Sequence, residues 1–274
     1  MFDCHVHAGP DVVARIGDDR DVLRSYETAG ASGFVLKGHH ESTVGRAQNL
    51  ARQSGLAVVG GVVLNHTAGG VNPAAVTAAL AAGGRVVWMP TADAHTQEQA
   101  GLPRLCDLEG RLGRATLAVP PVEPGVQGAT DLILALIADH DAVLATGHLS
   151  GPECHWLLRR ARHYGIDRVL LTHPSYTVPG LHPVAVAELA AAGGFVEITA
   201  YQLLHQPGCT AAMLAEVARA AGQRLVLSSD AGQPDSPPPP QALQRLIDEL
   251  AAQGVDRGLL NAAASSVPAE LVLT

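Results

Sequence analysis

Aromatic residues are scarce in this chain, at 3% of 274 residues, so any core it builds has to be aliphatic. It contains no 18-residue apolar run, which removes a membrane-spanning helix from the expectations. Positive charge is also short. The formal net charge is −8, and binding phosphate backbones needs the opposite sign, so nucleic acid is not an expected partner. The four cysteines, Cys4, Cys106, Cys154 and Cys209, stand without pair spacing. No basic stretch followed by an apolar run opens the chain. A reduced, cytoplasmic protein is therefore expected. Lysine is almost missing: of 18 basic residues one is lysine, Lys37. Arginine keeps its proton in proteins, whereas lysine can become a neutral amine. A chain that otherwise uses arginine has kept one amine able to change state.

What is present is aliphatic and periodic. Hydrophobic residues make up 47%. Short apolar runs at 2–7, 33–37, 57–64, 85–89, 142–146, 168–172, 194–199 and 224–229 read as strands, mostly continuous Val/Ile/Leu runs of the kind buried on both faces of a parallel sheet. Ala/Leu-rich segments at 21–29, 42–54, 73–82, 129–140, 153–164, 183–192 and 210–221 read as helices between them, with a last helix at 240–253. Gly30, Gly55, Gly83, Gly165, Gly193 and Gly222 read as their stops. Eight β–α units predict an α/β fold, a (β/α)8 TIM barrel in one domain over residues 1–274. The strand period is roughly 24 to 31 residues, except between strands four and five, where the segment 105–112 predicts a small hairpin insertion. An open doubly wound sheet is the alternative, but no GxGxxG follows the first strand.

Barrel active sites form where strands end and βα loops begin, so polar groups at those positions are informative. Strand one ends in His5 and His7, which are two apart on a strand and so point to the same side. Strand two ends in Lys37, His39 and His40, and strand three in Asn65 and His66. Strand five ends in His148, strand six in His173, strand seven in Glu197 with Tyr201 beyond, and strand eight in Asp230. Two imidazoles on one face, joined by further His, Lys and Asp at strand ends, suit a divalent metal. Zinc is the default for such nitrogen and oxygen donors, with Mn, Fe, Co or Ni as alternatives. Asp230 could instead be a helix N-cap. His95 stands open between the mouth and packing. His140, His155, His163, His182 and His205 read as surface or packing residues.

Taken together these residues resemble the amidohydrolase superfamily: HxH on strand one, single histidines after strands five and six, and an Asp after strand eight. The runs around His5–Asp11, Lys37–His39, Leu64–His66, Val87–Thr91 and Thr146–Ser150 further resemble an uncharacterised amidohydrolase-related family. The resemblance implies that His5 and His7 bind a first metal and that His148 and His173 bind a second. Asp230 would ligate the first metal and act as general base. A homo-oligomer is also implied. In members with two metals a carboxylated lysine commonly bridges them from strand four. Here strand four ends in Met89-Pro90-Thr91, and the only lysine is on strand two. Lys37 is accordingly expected to replace the bridge as a carbamate, with an unmodified lysine as the alternative.

The reaction expected is hydrolysis of an amide, lactone or related C–N or C–O bond of a small molecule by metal-activated water, with Asp230 taking the proton. Arg15, His39, His40, Asn65, His66 and Tyr201 are candidates for holding substrate, Arg15 by pairing with a carboxylate. Three rival readings stay open: a mononuclear decarboxylase or lyase on the same barrel, a metal phosphoesterase, and a non-catalytic metal-binding barrel.

Overall fold

The structure, a computed structural model, describes residues 1–104, 106 and 110–274. Eight parallel strands lie in sequence order: β1 (Phe2–Val6), β2 (Gly33–Leu36), β3 (Ala57–Val63), β4 (Val86–Trp88), β5 (Val143–Ala145), β6 (Val169–Leu171), β7 (Phe195–Thr199) and β8 (Leu225–Ser228). The ring closes where the chain leaving β8 meets β1. Val6 and Ala231 form a parallel bridge, Asp230 N donates to His5 O at 2.8 Å, and His7 N donates to Ala231 O at 2.9 Å. The expected α/β barrel is therefore the observed fold.

Helices α1 (Asp19–Thr28), α2 (Val44–Ala51), α3 (Pro73–Ala81), α4 (His95–Gln99), α5 (Gln127–Asp139), α6 (Gly151–His163), α7 (Pro183–Ala191), α8 (Ala200–His205), α9 (Ala211–Ala221) and α10 (Pro239–Ala252) connect and surround the strands, followed by α11 (Arg257–Ala263) and α12 (Ser266–Leu273). Their starts follow local chemistry. Asp18 caps α1 in a reciprocal box with Asp21, Asn72 caps α3 before Pro73, and Ser150 pairs with Glu153 at the start of α6. Of the glycines expected as helix stops, Gly30, Gly83, Gly165, Gly193 and Gly222 take positive φ, and Gly55 does not. The short α8 and the terminal α11 and α12 went unanticipated. Half of the hairpin segment expected at 105–112 lies outside the described residues. Beside it, α4 and a bridge between Ala94 and Leu117 fill the crossover.

The core divides by layer. Phe2, Cys4, Val35, Val63, Val86, Trp88, Val143 and Ala145 fill the barrel interior together with Leu271 and Val272 of α12, which plugs the N-terminal end. A second apolar layer between strands and helices carries the Val, Ile and Leu residues of the outer strand faces. The register of β1 against β2 slips between Asp3 and Val6. This bulge matters because it changes which way a strand's residues point. Cys4 packs inside the barrel, while Asp3 meets Tyr26 of the external helix α1, whose hydroxyl donates to it at 2.6 Å. His5 and His7 are then free to face the mouth.

Candidate metal centre

Three donor atoms converge at the C-terminal mouth. His5 Nε2 and His7 Nε2 stand 3.1 and 3.2 Å from Asp230 Oδ1, and all three lie within 4.8 Å of one another. Around a tetrahedral zinc, donors about 2.0 Å from the metal sit about 3.3 Å apart, so the spacing fits a cation. His173 joins from β6, its Nε2 3.9 Å from Asp230 Oδ2 and its ring stacked on His5 at 5.8 Å. His148 follows from β5, its ring centroid 5.0 Å from that of His173. Both His148 Nδ1 and His173 Nδ1 are buried without a partner among the described residues, as is His7 Nδ1. Unpaired buried nitrogens are costly, and a donor set of this kind fits a divalent metal.

The backbone is bent to make this arrangement. His173 has φ of 24° and Asp230 has φ of 49°, both in the left-handed region that such residues enter at a cost. The glycines beside the candidate ligands explain how the loops get close enough. Gly147 has φ of 59°, and a Cβ there would sit 2.3 Å from Met89 O; Gly232 has φ of 138°, and a Cβ there would sit 2.1 Å from His7 O. A side chain at either position would push His148 or Asp230 away from the cluster.

Behind the donors lies a buried carboxylate. Glu197, on β7 and fully buried, is 3.2 and 3.3 Å from His5 Nδ1 and accepts from His173 N at 3.1 Å. When His5 Nδ1 donates to Glu197, its Nε2 keeps a lone pair facing the centre, the arrangement that orients metal-binding histidines. The strand pattern placed Glu197 at a strand end but gave it no role. A charged residue inside an otherwise apolar parallel strand was the signal available.

Lys37 is also at the centre, only 2% exposed. Its Nζ donates to His5 Nε2 at 2.9 Å, above the ring of Trp88 at 5.7 Å. Burial lowers its pKa, opposed by the nearby Asp230 and Glu197. Burial likewise holds His5, His7 and His148 well below the ordinary histidine value, with the charges of Lys37 or Arg15 among the further causes for His5 and His7. His173 is pushed down to about 3, again chiefly by burial. These imidazoles are therefore neutral at pH 7, as metal ligation requires. Burial raises the Asp230 carboxyl, and the Lys37 charge pulls it back.

The other candidates fall into two groups. His39 stacks on His7, ring centroids 4.9 Å apart, and Tyr201 packs against Tyr176, which in turn stands edge-on to His173. The Arg15 side chain is 5% exposed, and its Nε and Nη2 bind Asp11 Oδ2 at 2.7 and 2.5 Å. Asn65, His40 and His66 are not brought to the donor cluster. Asn65 spends its whole amide on protein groups. His40 Nε2 lies 3.1 Å from Cys106 O, and His66 is exposed. His95 also turns from the mouth, to the buried Glu153 at 2.7 Å.

An eight-stranded parallel barrel with a buried histidine–carboxylate cluster at its C-terminal mouth is the class that these features define. Within it, the chain belongs to the family DUF6282, described as a family of unknown function, whose model matches residues 1–197. No curated protein matches the chain by sequence. Solved structures share the fold across nearly its whole length. A mutant PTE-like lactonase from Deinococcus radiodurans is 14% identical, with a TM-score of 0.61 over 99% of this chain and 95% of its own. The phosphotriesterase homology protein from Escherichia coli, complexed with phosphate in its active site, is 13% identical, with a TM-score of 0.60 over 98% and 97%. An amidohydrolase from Pseudomonas aeruginosa is 12% identical, with a TM-score of 0.55 over 99% and 96%.

Proposed function

We propose that the protein is a metal-dependent hydrolase of a small molecule, acting on an amide, lactone or related C–N or C–O bond. The observation that carries this is the convergence of His5 Nε2, His7 Nε2 and Asp230 Oδ1 at the barrel mouth, where barrels of this kind perform their chemistry. His5, His7 and Asp230 would hold a first divalent metal, zinc by donor type, and His148 and His173 a second. A metal held there would lower the pKa of a water and polarise the scissile carbonyl. Glu197 orients His5. Asp230 Oδ2 takes the proton from the attacking water and delivers it to the leaving group. The walls around the cluster, with the six donors and carriers at most 9% exposed, exclude bulk water. Hydrolysis of a P–O ester bond, with water attacking at phosphorus, is a second reading, favoured by the phosphate held in the active site of the Escherichia coli neighbour.

Lys37 is proposed to bridge the two metals as a carbamate. Its neutral amine would add to carbon dioxide, forming an N–C bond and releasing a proton. Burial lowers its pKa, which favours that amine, and it stands within reach of His5. Carbon-13 NMR of metal-loaded protein given labelled bicarbonate is expected to show one protein-bound carbamate, absent from Lys37→Ala. A spectrum without it leaves Lys37 an unmodified amine.

The hydrolase reading is tested by metal analysis of protein purified without chelators, followed by a panel of lactones, amides, esters and phosphoesters. Up to two equivalents of metal and turnover abolished by chelation and by His7→Ala are expected. A protein that holds no metal, or that is fully loaded and inert across the panel, overturns it.

A further inference from the structure

A directional chain of hydrogen bonds runs through Asn65, Thr91 and His39. It starts with Asn65 Oδ1, which accepts from the backbone of Thr91 at 2.8 Å and of Asp93 at 3.3 Å. Backbone N–H groups can only donate, so this end of the amide is the oxygen and the orientation of Asn65 is settled. Asn65 Nδ2 therefore supplies two donors, one to His39 O at 3.0 Å and one to Thr91 Oγ1 at 2.8 Å. Thr91 Oγ1 is thus an acceptor, and its single proton is still to be placed. The remaining partner of this fully buried hydroxyl among the described residues is His39 Nδ1, at 3.0 Å. If His39 Nδ1 carried the proton instead, the Thr91 proton would be buried with no acceptor, which native interiors avoid. Thr91 therefore donates to Nδ1, and the imidazole proton sits on Nε2.

His39 Nε2 has no protein partner among the described residues, and the ring lies 4.9 Å from and 14° off parallel to the candidate ligand His7. We propose that His39 is a fixed hydrogen-bond donor at the metal centre, its Nε2–H meeting the carbonyl or phosphoryl oxygen on which charge develops during hydrolysis. Such a donor is set in place before the reaction and aimed at one atom, the property that makes oxyanion stabilisation effective. It also selects the ligand: the group received there is an unprotonated acceptor oxygen. Asn65 and Thr91 are positioning residues that act through His39 and do not touch substrate. This role rests on the hydrolase reading, whereas the position of the proton does not.

Two measurements separate the two. Nitrogen-15 NMR of the imidazoles in metal-free protein at pH 8, with His39 assigned by its loss in His39→Phe, reads the proton's position from two-bond couplings. An Nε2–H tautomer is expected, and an Nδ1–H tautomer overturns the proposal. Calorimetry of metal-loaded protein with inorganic phosphate then reads the donor. His39→Phe keeps a ring to stack on His7 and is expected to bind phosphate at least tenfold more weakly at unchanged metal content. Unchanged phosphate affinity, or loss of metal from the variant, overturns the assignment. A wild-type protein that retains no metal overturns the hydrolase reading instead, while the tautomer still decides where the proton sits.

Discussion

Single side chains decide whether the mouth can hold a cation, and Glu197 is the clearest case. Glu197→Gln keeps an oxygen for His5 Nδ1 but removes the charge behind it. Loss of such a partner costs about 10- to 100-fold in metal affinity, so chelator competition should show a fall of that size with the fold intact; unchanged affinity would remove Glu197 from the site. Asp3 tests a different property. Its fully buried carboxyl is raised to about 6 from 3.8, chiefly by burial, with the hydrogen bonds from Tyr26 and Ser229 opposing. A raised folded pKa means stability that is fully present below 3.8 and lost as pH climbs through about 6. Asp3→Asn removes that titration. Relative to wild type, the variant should gain on the order of 3 kcal/mol between pH 3.5 and 7, read by chemical denaturation of the metal-free protein. A constant difference across that range would show that Asp3 does not titrate there. The histidines and Asp230 were legible because a period of two and strand-end positions expose them in sequence. Glu197 and Asp3 were not, because their meaning lies in partners distant in sequence: His5 is 192 residues from Glu197, and Ser229 is 226 residues from Asp3.

At the level of elements, the loops after strands carry the candidate ligands, and small residues let those loops turn. Gly147 is one such residue. A methyl group there would meet Met89 O and Pro90 O at 2.3 and 2.4 Å while the backbone sits at a φ of 59°. Gly147→Ala is therefore expected to destabilise the protein by more than about 1 kcal/mol and to displace His148, so that metal bound falls as well as the unfolding midpoint. A drop in stability at full metal content would mean that the loop absorbs the strain without moving its histidine. The sequence pattern placed Gly147 beside a strand end but could not supply the carbonyls it approaches, since these belong to the loop after β4. The same limit explains His95 and Asn65. Both follow strand ends, as the ligands do, yet His95 turns to Glu153 at the start of α6 and Asn65 brackets the backbone of the β4 loop. Position along a strand identifies the mouth; it does not say which residues face inward across it.

For the molecule as a whole, the eightfold alternation in the chain made the barrel readable, because each β–α unit carries its own apolar pattern. How the two ends of the barrel are finished was less readable. The C-terminal end holds the donor cluster, and Asp230 comes from beyond the 1–197 stretch that the family model matches, so the proposed centre draws on both parts of the chain. The N-terminal end is closed by α12, whose Leu271 and Val272 pack with Phe2, Cys4 and Val226 inside the barrel. Arg85 Nε donates to Val272 O at 2.9 Å, and Phe2 N donates to Ala264 O at 2.8 Å, tying this terminal region to the start of β1 and β4. An eight-residue helix at a chain end has little stability alone, and it follows that this plug is held by its apolar contacts. Truncating a buried Leu to Ala costs roughly 2 to 5 kcal/mol, part of it for the cavity left behind. Leu271→Ala should therefore lower the denaturation midpoint by an amount in that range while leaving metal content and phosphate binding as in wild type, because the substitution lies at the opposite end of the barrel from the donors. Loss of metal in step with stability would instead show that the two ends are mechanically coupled, and that the plug sets the register in which β1 presents His5 and His7.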